Sequence, residues 1–103
     1  MIGVLTHHWA KENCLLEARA LLDRNGQAQA QAPGFLSRTT LYSTNDSTQI
    51  TTLVLWDNNE IYDVWKASPE RTNIMEGAER FWSTPPRSER FEVAGLPWEL
   101  TGL

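Results

Sequence analysis

A chain of 103 residues is long enough for one domain with its own core and short for two. Hydrophobic residues at 41% and charged residues at 21% exclude wholesale disorder. A net charge of -4 without any cluster of Lys or Arg excludes the electrostatic footprint of a nucleic-acid or anionic-membrane binder.

No apolar stretch approaches the ~20 residues of a membrane span. The opening Met1-Ile2-Gly3-Val4-Leu5 runs straight into Thr6-His7-His8, unlike a signal peptide, so a cytoplasmic protein is expected. Cys14 is the only cysteine, which rules out an intrachain disulfide and a cysteine-rich metal site. Five Trp suit a ligand cavity or a subunit contact as well as a core.

Residues 2 to 9 are apolar and β-prone and predict a first strand, with Gly3, Leu5, His7 and Trp9 on one face and Ile2, Val4, Thr6 and His8 on the other. From Asn13 to Gln31 the chain turns to Ala, Leu, Glu, Arg and Gln. Leu15, Ala18 and Leu22 there form one stripe, with Cys14 and Leu21 beside it, which predicts a helix. Gly26 weakens that helix by roughly 1 kcal/mol relative to Ala, and Pro33-Gly34 ends it. Phe35 to Ser43 and Gln49 to Trp56 are strand-like runs around the polar cluster 44–48, and together they predict a hairpin.

Asp57 or Asn58 caps the next helix, with Ile61, Val64 and Trp65 expected on its inner face. Ser68-Pro69 is a second helix start, followed by Ile74, Met75, Ala78, Phe81 and Trp82 at helical spacing. Pro85-Pro86 is expected to end this helix, and Ser88 to Ala94 to form the last strand. The chain therefore reads as a single domain, 1–103, with a core at 2–94 and a tail at 95–103. Within that tail, Pro97-Trp98 is expected to reach a second subunit.

The order strand, helix, strand, strand, helix, strand predicts an α+β, ferredoxin-like βαββαβ sandwich with the helices on one face. The hairpin strand carries Ile50, Thr52, Val54 and Trp56 on one side and Thr51, Leu53 and Leu55 on the other. Neither side is clearly polar, so a second copy is expected to cover the free face as a homodimer.

Pro33-Gly34-Phe35, the hairpin ending in Leu55-Trp56, the helix with Trp65 and the Ser68-Pro69-Glu70 restart resemble the antibiotic-biosynthesis monooxygenase (ABM) superfamily of dimeric α+β barrels. The resemblance spans about residues 2 to 94. It implies a cofactor-independent monooxygenase acting with molecular oxygen on a small aromatic or polyketide-like phenol or quinol. In that pattern Trp56 and Tyr62 match, while Thr52 stands in place of an Asn and Met75 near an Arg; His7 is then the expected base. The haem-degrading branch is the alternative. There Trp65 matches, His7 falls at an Asn and Met75 at the axial His, so haem would need an altered ligand. A small-molecule-binding dimer without chemistry is the third possibility.

The candidate site residues are thus His7, Trp56, Tyr62 and Trp65, with no metal and no cofactor expected. His7 shares its strand face with Leu5 and Trp9, which predicts burial beneath the helices, and His8 is expected to point into the dimer interior. Met75 lies on a stripe with Ile74, Ala78 and Trp82 and reads as packing. Adjacent His7 and His8 diverge on a strand, and no Cys or carboxylate is spaced to complete a metal site.

Overall fold

The computed structural model describes residues 1–95, so the expected subunit contact through Pro97-Trp98 lies outside the described residues. Strand β1 covers Ile2–Ala10 and is followed by a single 3-10 turn, Glu12–Cys14, and helix α1, Leu15–Gln29. Strands β2 (Phe35–Tyr42) and β3 (Gln49–Trp56) form the hairpin. Helices α2 (Asn59–Lys66) and α3 (Pro69–Met75), a 3-10 turn at Ala78–Phe81 and strand β4 (Trp82–Glu92) complete the chain. All strand pairings are antiparallel, in the order β2-β3-β1-β4. This is the expected α+β ferredoxin-like arrangement.

Register decides which side chains meet the helices. β1 and β3 pair Ile2 with Trp56, Val4 with Val54, Thr6 with Thr52 and His8 with Ile50. Because strand side chains alternate between faces, the even-numbered residues of both strands share the helix face. They build two apolar clusters. One joins Ala10, Ile50 and Trp82 to Ala18, Leu21 and Leu22 of α1. The other joins Ile2, Val4, Val54 and Trp56 to Trp65 of α2. Thr6, His8 and Thr52 lie between the two along the strands and leave a polar seam in the core.

The expected faces of β3 are found, but those of β1 are the reverse of expectation. His8, not His7, lies beneath the helices, where it is only 6% exposed. Leu5 and Trp9 made the His7 face look like the covered one. Ile2, Val4 and Ala10 nevertheless fit the apolar residues presented by β3 and α1, and Gly3 leaves the other face with less to bury.

A second correction concerns residues 74–82. The apolar spacing predicts one helix up to Pro85, yet α3 stops at Met75 and Gly77 turns the chain at φ 75°. Ala78 and Trp82 reach the same core from a turn and from a strand, which imitates helical periodicity. β4 starts at Trp82, six residues before the expected Ser88, and runs through Pro85-Pro86. It is an edge strand, where a missing N–H is tolerated, and its register with β1 slips twice, between His7 and Trp9 and between Trp9 and Ala10, each time taking up one extra residue of β4.

The helix starts follow local chemistry. The Asn58 side chain accepts a hydrogen bond from the Ile61 backbone N–H at 2.8 Å, and Ser68 caps α3 at the Arg71 N–H at 3.2 Å, with Pro69 in the first turn. On α2 the buried face is Ile61, Tyr62 and Trp65. Val64 lies about 100° round the helix from Trp65 and is 72% exposed, contrary to expectation. Gly34 turns the chain at φ 81°, where a side chain would also collide with Ile61.

A polar cavity in the seam of the core

The seam opens into a cavity of about 60 Å³ between the sheet and all three helices. Val4, Thr6 and His8 come from β1, Thr52 and Val54 from β3, and Arg38 from β2. Leu22, Asn25 and Gln29 come from α1, Tyr62 and Trp65 from α2, and Arg71 and Met75 from α3. A cavity that holds one water needs ~10–15 Å³ by this measure, so this one has room for several waters or for one end of a small organic molecule.

Its polar groups are unusual for a core of this size. Burial brings the pKa of His8 down to about 4, against a backbone hydrogen bond at Ile50 that raises it; Arg38, His7 and Arg71 lower it further. The ring is therefore neutral at neutral pH. Its Nδ1 is buried and has no hydrogen-bond partner. A neutral imidazole carries one donor and one acceptor nitrogen, so Nδ1 is an acceptor in the tautomer with its proton on Nε2. Trp82 lies against the ring, centroid to centroid at 4.8 Å. Asn25, 7% exposed, also has an unpartnered side-chain oxygen, Oδ1.

Arg38 crosses from β2 to α1, donating to Oε1 of Gln29 at 2.7 Å and to the backbone carbonyl of Leu22 at 2.9 Å. These acceptors are neutral, and burial holds the Arg38 guanidinium below its ordinary pKa. Arg71 contributes a second guanidinium whose charge lowers the pKa values of both His8 and Tyr62. No Asp or Glu lines the cavity.

Tyr62 and Trp65 form the aromatic wall. Burial raises the Tyr62 pKa, and the charges of Arg71 and Arg90 work against that rise. Arg90 of β4 lies over the Tyr62 ring at 4.7 Å and bonds Asp63 at 2.7 Å and Asn59 at 3.2 Å, which ties α2 to the sheet. Trp56 stands behind this wall. It is fully buried, stacked on Trp65 at 6.3 Å and packed against Tyr62 and Phe35, and its indole N–H has no partner.

Of the four residues singled out in the sequence, Tyr62 and Trp65 line the cavity and Trp56 supports them. His7 does not join them. It lies on the opposite face of the sheet, where Nδ1 is 2.8 Å from the Thr51 hydroxyl and 3.2 Å from Nε2 of Gln49. Thr52 and Met75, which occupy positions where the resembling family carries chemistry, do face the cavity. His8, Asn25, Arg38 and Arg71 were missed. Each looks like an ordinary strand or helix residue in sequence, and only the pairing of β1 with β3 and the crossing of Arg38 onto α1 bring them together.

Haem does not fit this arrangement. His7 is on the wrong face to ligate iron beside Met75 and Trp65, and a cavity of about 60 Å³ has no room for a porphyrin. Among the described residues, no three His, Cys, Asp or Glu side chains gather as a metal site. No helix among them is long and apolar enough to cross a membrane.

No protein-family model and no curated protein matches the sequence. Solved structures do match the fold. An antibiotic biosynthesis monooxygenase superposes with a TM-score of 0.83 at 13% identity, covering 92% of this chain and 100% of that one. Rv0793 from Mycobacterium tuberculosis gives 0.84 at 15%, covering 92% and 96%. SnoaB from Streptomyces nogalater, a cofactor-independent oxygenase, gives 0.80 at 13%, covering 95% and 98%. The strand order, the register and these superpositions together give this chain the fold of the antibiotic biosynthesis monooxygenase domain proteins.

Proposed function

We propose that this protein is a cofactor-independent monooxygenase that oxidises a small phenol or quinol, and that it works as a homodimer. The observation that carries the proposal is that His8, whose buried Nδ1 has no partner, lines a cavity walled by Tyr62 and Trp65. The fold shared with an oxygenase described as cofactor-independent supports it.

In this chemistry the ionised substrate itself reduces oxygen. A phenol and O2 give a quinone and water: one oxygen atom replaces a ring hydrogen, the other leaves as water with that hydrogen and the phenolic proton. The protein has to take the phenolic proton and exclude water. Nδ1 of His8 accepts a hydrogen bond from the substrate hydroxyl and orients it; with a pKa of about 4 the ring does not retain the phenolic proton, which is given up to water at the open side of the cavity. Two guanidinium groups in the same cavity favour the phenolate. His8 thereby replaces His7 as the residue proposed to meet the phenolic hydroxyl, with Tyr62, Trp65 and Trp56 as the wall that orients the ring.

The dimer is supported by the free face of the sheet. Gly3, Leu5, His7 and Trp9 of β1 share it with Thr51, Leu53 and Leu55 of β3, and the flanking Leu41 and Phe91 are 48% and 45% exposed. A second copy covers such a surface at least cost.

Oxygen uptake by the purified protein with a panel of single-ring phenols and quinols, with quinone followed by absorbance, tests the reaction. Uptake no faster than with heat-unfolded protein, for compounds that demonstrably bind, would reduce the protein to a binding module without chemistry.

A further inference from the structure

We infer that the ligand of this cavity is a small hydroxylated carboxylate: a molecule that brings both an anionic group for Arg38 and Arg71 and a hydroxyl for His8 and Asn25. The inference goes beyond the oxygenase proposal, because it concerns the class of ligand and holds whether or not oxygen is consumed.

The reasoning is a matching of unmet groups. Four buried side-chain polar atoms lack a partner among the described residues, and two of them, Nδ1 of His8 and Oδ1 of Asn25, belong to residues lining this one cavity. Both are acceptors, so whatever satisfies them has to donate; a buried acceptor left alone is costly. The charged donors in the lining are guanidinium groups. The Arg38 side chain spends two N–H groups on Gln29 and Leu22 and retains others, while the Arg71 side chain makes no hydrogen bond or ion pair among the described residues. A chain with a net charge of -4 thus places two guanidinium side chains, and no carboxylate, in the lining of one cavity, with Asp23 acting on Arg38 from outside it. Planar guanidinium matches a carboxylate in shape and charge. A ligand with only a hydroxyl leaves Arg71 unpaired, and one with only an anionic group leaves the acceptors unpaired. The cavity of about 60 Å³ is smaller than the ~150 Å³ that encloses a benzene ring, so it takes the polar end of a small ligand whose remainder lies at the open side.

Binding of 4-hydroxybenzoate, measured by calorimetry on the intact protein, is the test, with 4-hydroxybenzamide, benzoate and inorganic phosphate as comparisons. 4-Hydroxybenzoate should bind about tenfold or more tightly than the amide, which lacks the charge, and than benzoate, which lacks the hydroxyl. Arg71→Gln should abolish the preference for acid over amide, with Arg71→Lys keeping part of it, and His8→Gln should reduce the preference for the hydroxylated acid. Equal binding of acid and amide by the wild-type protein, tighter binding of phosphate than of 4-hydroxybenzoate, or no binding of any of the four overturns the inference. Because no turnover is read, a protein that binds the acid and consumes no oxygen upholds the inference and counts against the oxygenase proposal alone.

Discussion

The Cβ that Gly26 lacks would lie 2.6 Å from Nε and 2.8 Å from Cδ of Arg38. A glycine in the interior of α1 is therefore the gap through which a strand arginine reaches the helix to hold Gln29 and the Leu22 carbonyl. Its cost to helix propensity is the condition for placing a guanidinium at the cavity.

Gly26→Ala makes the first prediction. In an open helix position this change gains up to about 1 kcal/mol. Here it should destabilise by about 1 kcal/mol or more, since Arg38 has to leave two hydrogen bonds to make room. Urea denaturation of the two proteins measures the sign, and a gain in stability would mean that Arg38 is not held where the structure places it.

His8 should make the protein acid-sensitive. Its folded-state pKa of about 4 lies below the ordinary 6.5, so the unfolded chain takes up the proton first as pH falls. Stability from this group is fully present above pH 6.5, declines through the window from 6.5 to about 4, and is constant below it, a loss of about 3 kcal/mol. His8→Gln removes the titration. The stability difference between wild type and variant, followed by denaturation from pH 7 to 4, should shift by that amount in favour of the variant; a difference independent of pH would contradict the burial of the ring.

The two histidines should separate cleanly in oxygen uptake. His8→Gln is expected to slow phenol oxidation by about 100-fold, the lower range for loss of a group that meets the transferred proton. His7→Gln, which alters contacts with Thr51, Gln49 and Trp9 on the face of the sheet away from the cavity, should change the rate by a few-fold at most. The reverse ranking would return the chemistry to the open face of the sheet.

Leu53 tests the dimer. It pairs with Leu5 in the middle of the free face, and a charge there has no compensating partner once a second copy covers it. Wild type should sediment near twice 11.7 kDa and Leu53→Asp near the single mass, with unchanged circular dichroism. A wild-type protein that sediments as a monomer rules the homodimer out.

The elements from β1 to the start of α3 are legible in the sequence because each is punctuated locally: Pro33-Gly34, the polar 44–48 turn, the Asn58 and Ser68 caps. The family resemblance rests on the same punctuation, and Trp56, Tyr62 and Trp65 could be read as one aromatic group because they lie within ten residues of one another. The end of α3 was not legible. Met75, Ala78 and Trp82 keep helical spacing across the Gly77 turn, and an edge strand tolerates the two prolines expected to break the chain.

What the sequence by itself determined is the alternation within each strand, which is a property of the extended backbone. Which side of β1 is covered depends on partners distant in the chain, and that choice moved the cavity from His7 to His8. Arg38, Arg71, Asn25 and Gln29 are distant in sequence from β1 and carry no motif; they form a site only because the sheet order and the crossing of Arg38 onto α1 bring four charged or amide side chains to one polar seam. Local chemistry sets the elements, and long-range register decides which of their residues meet.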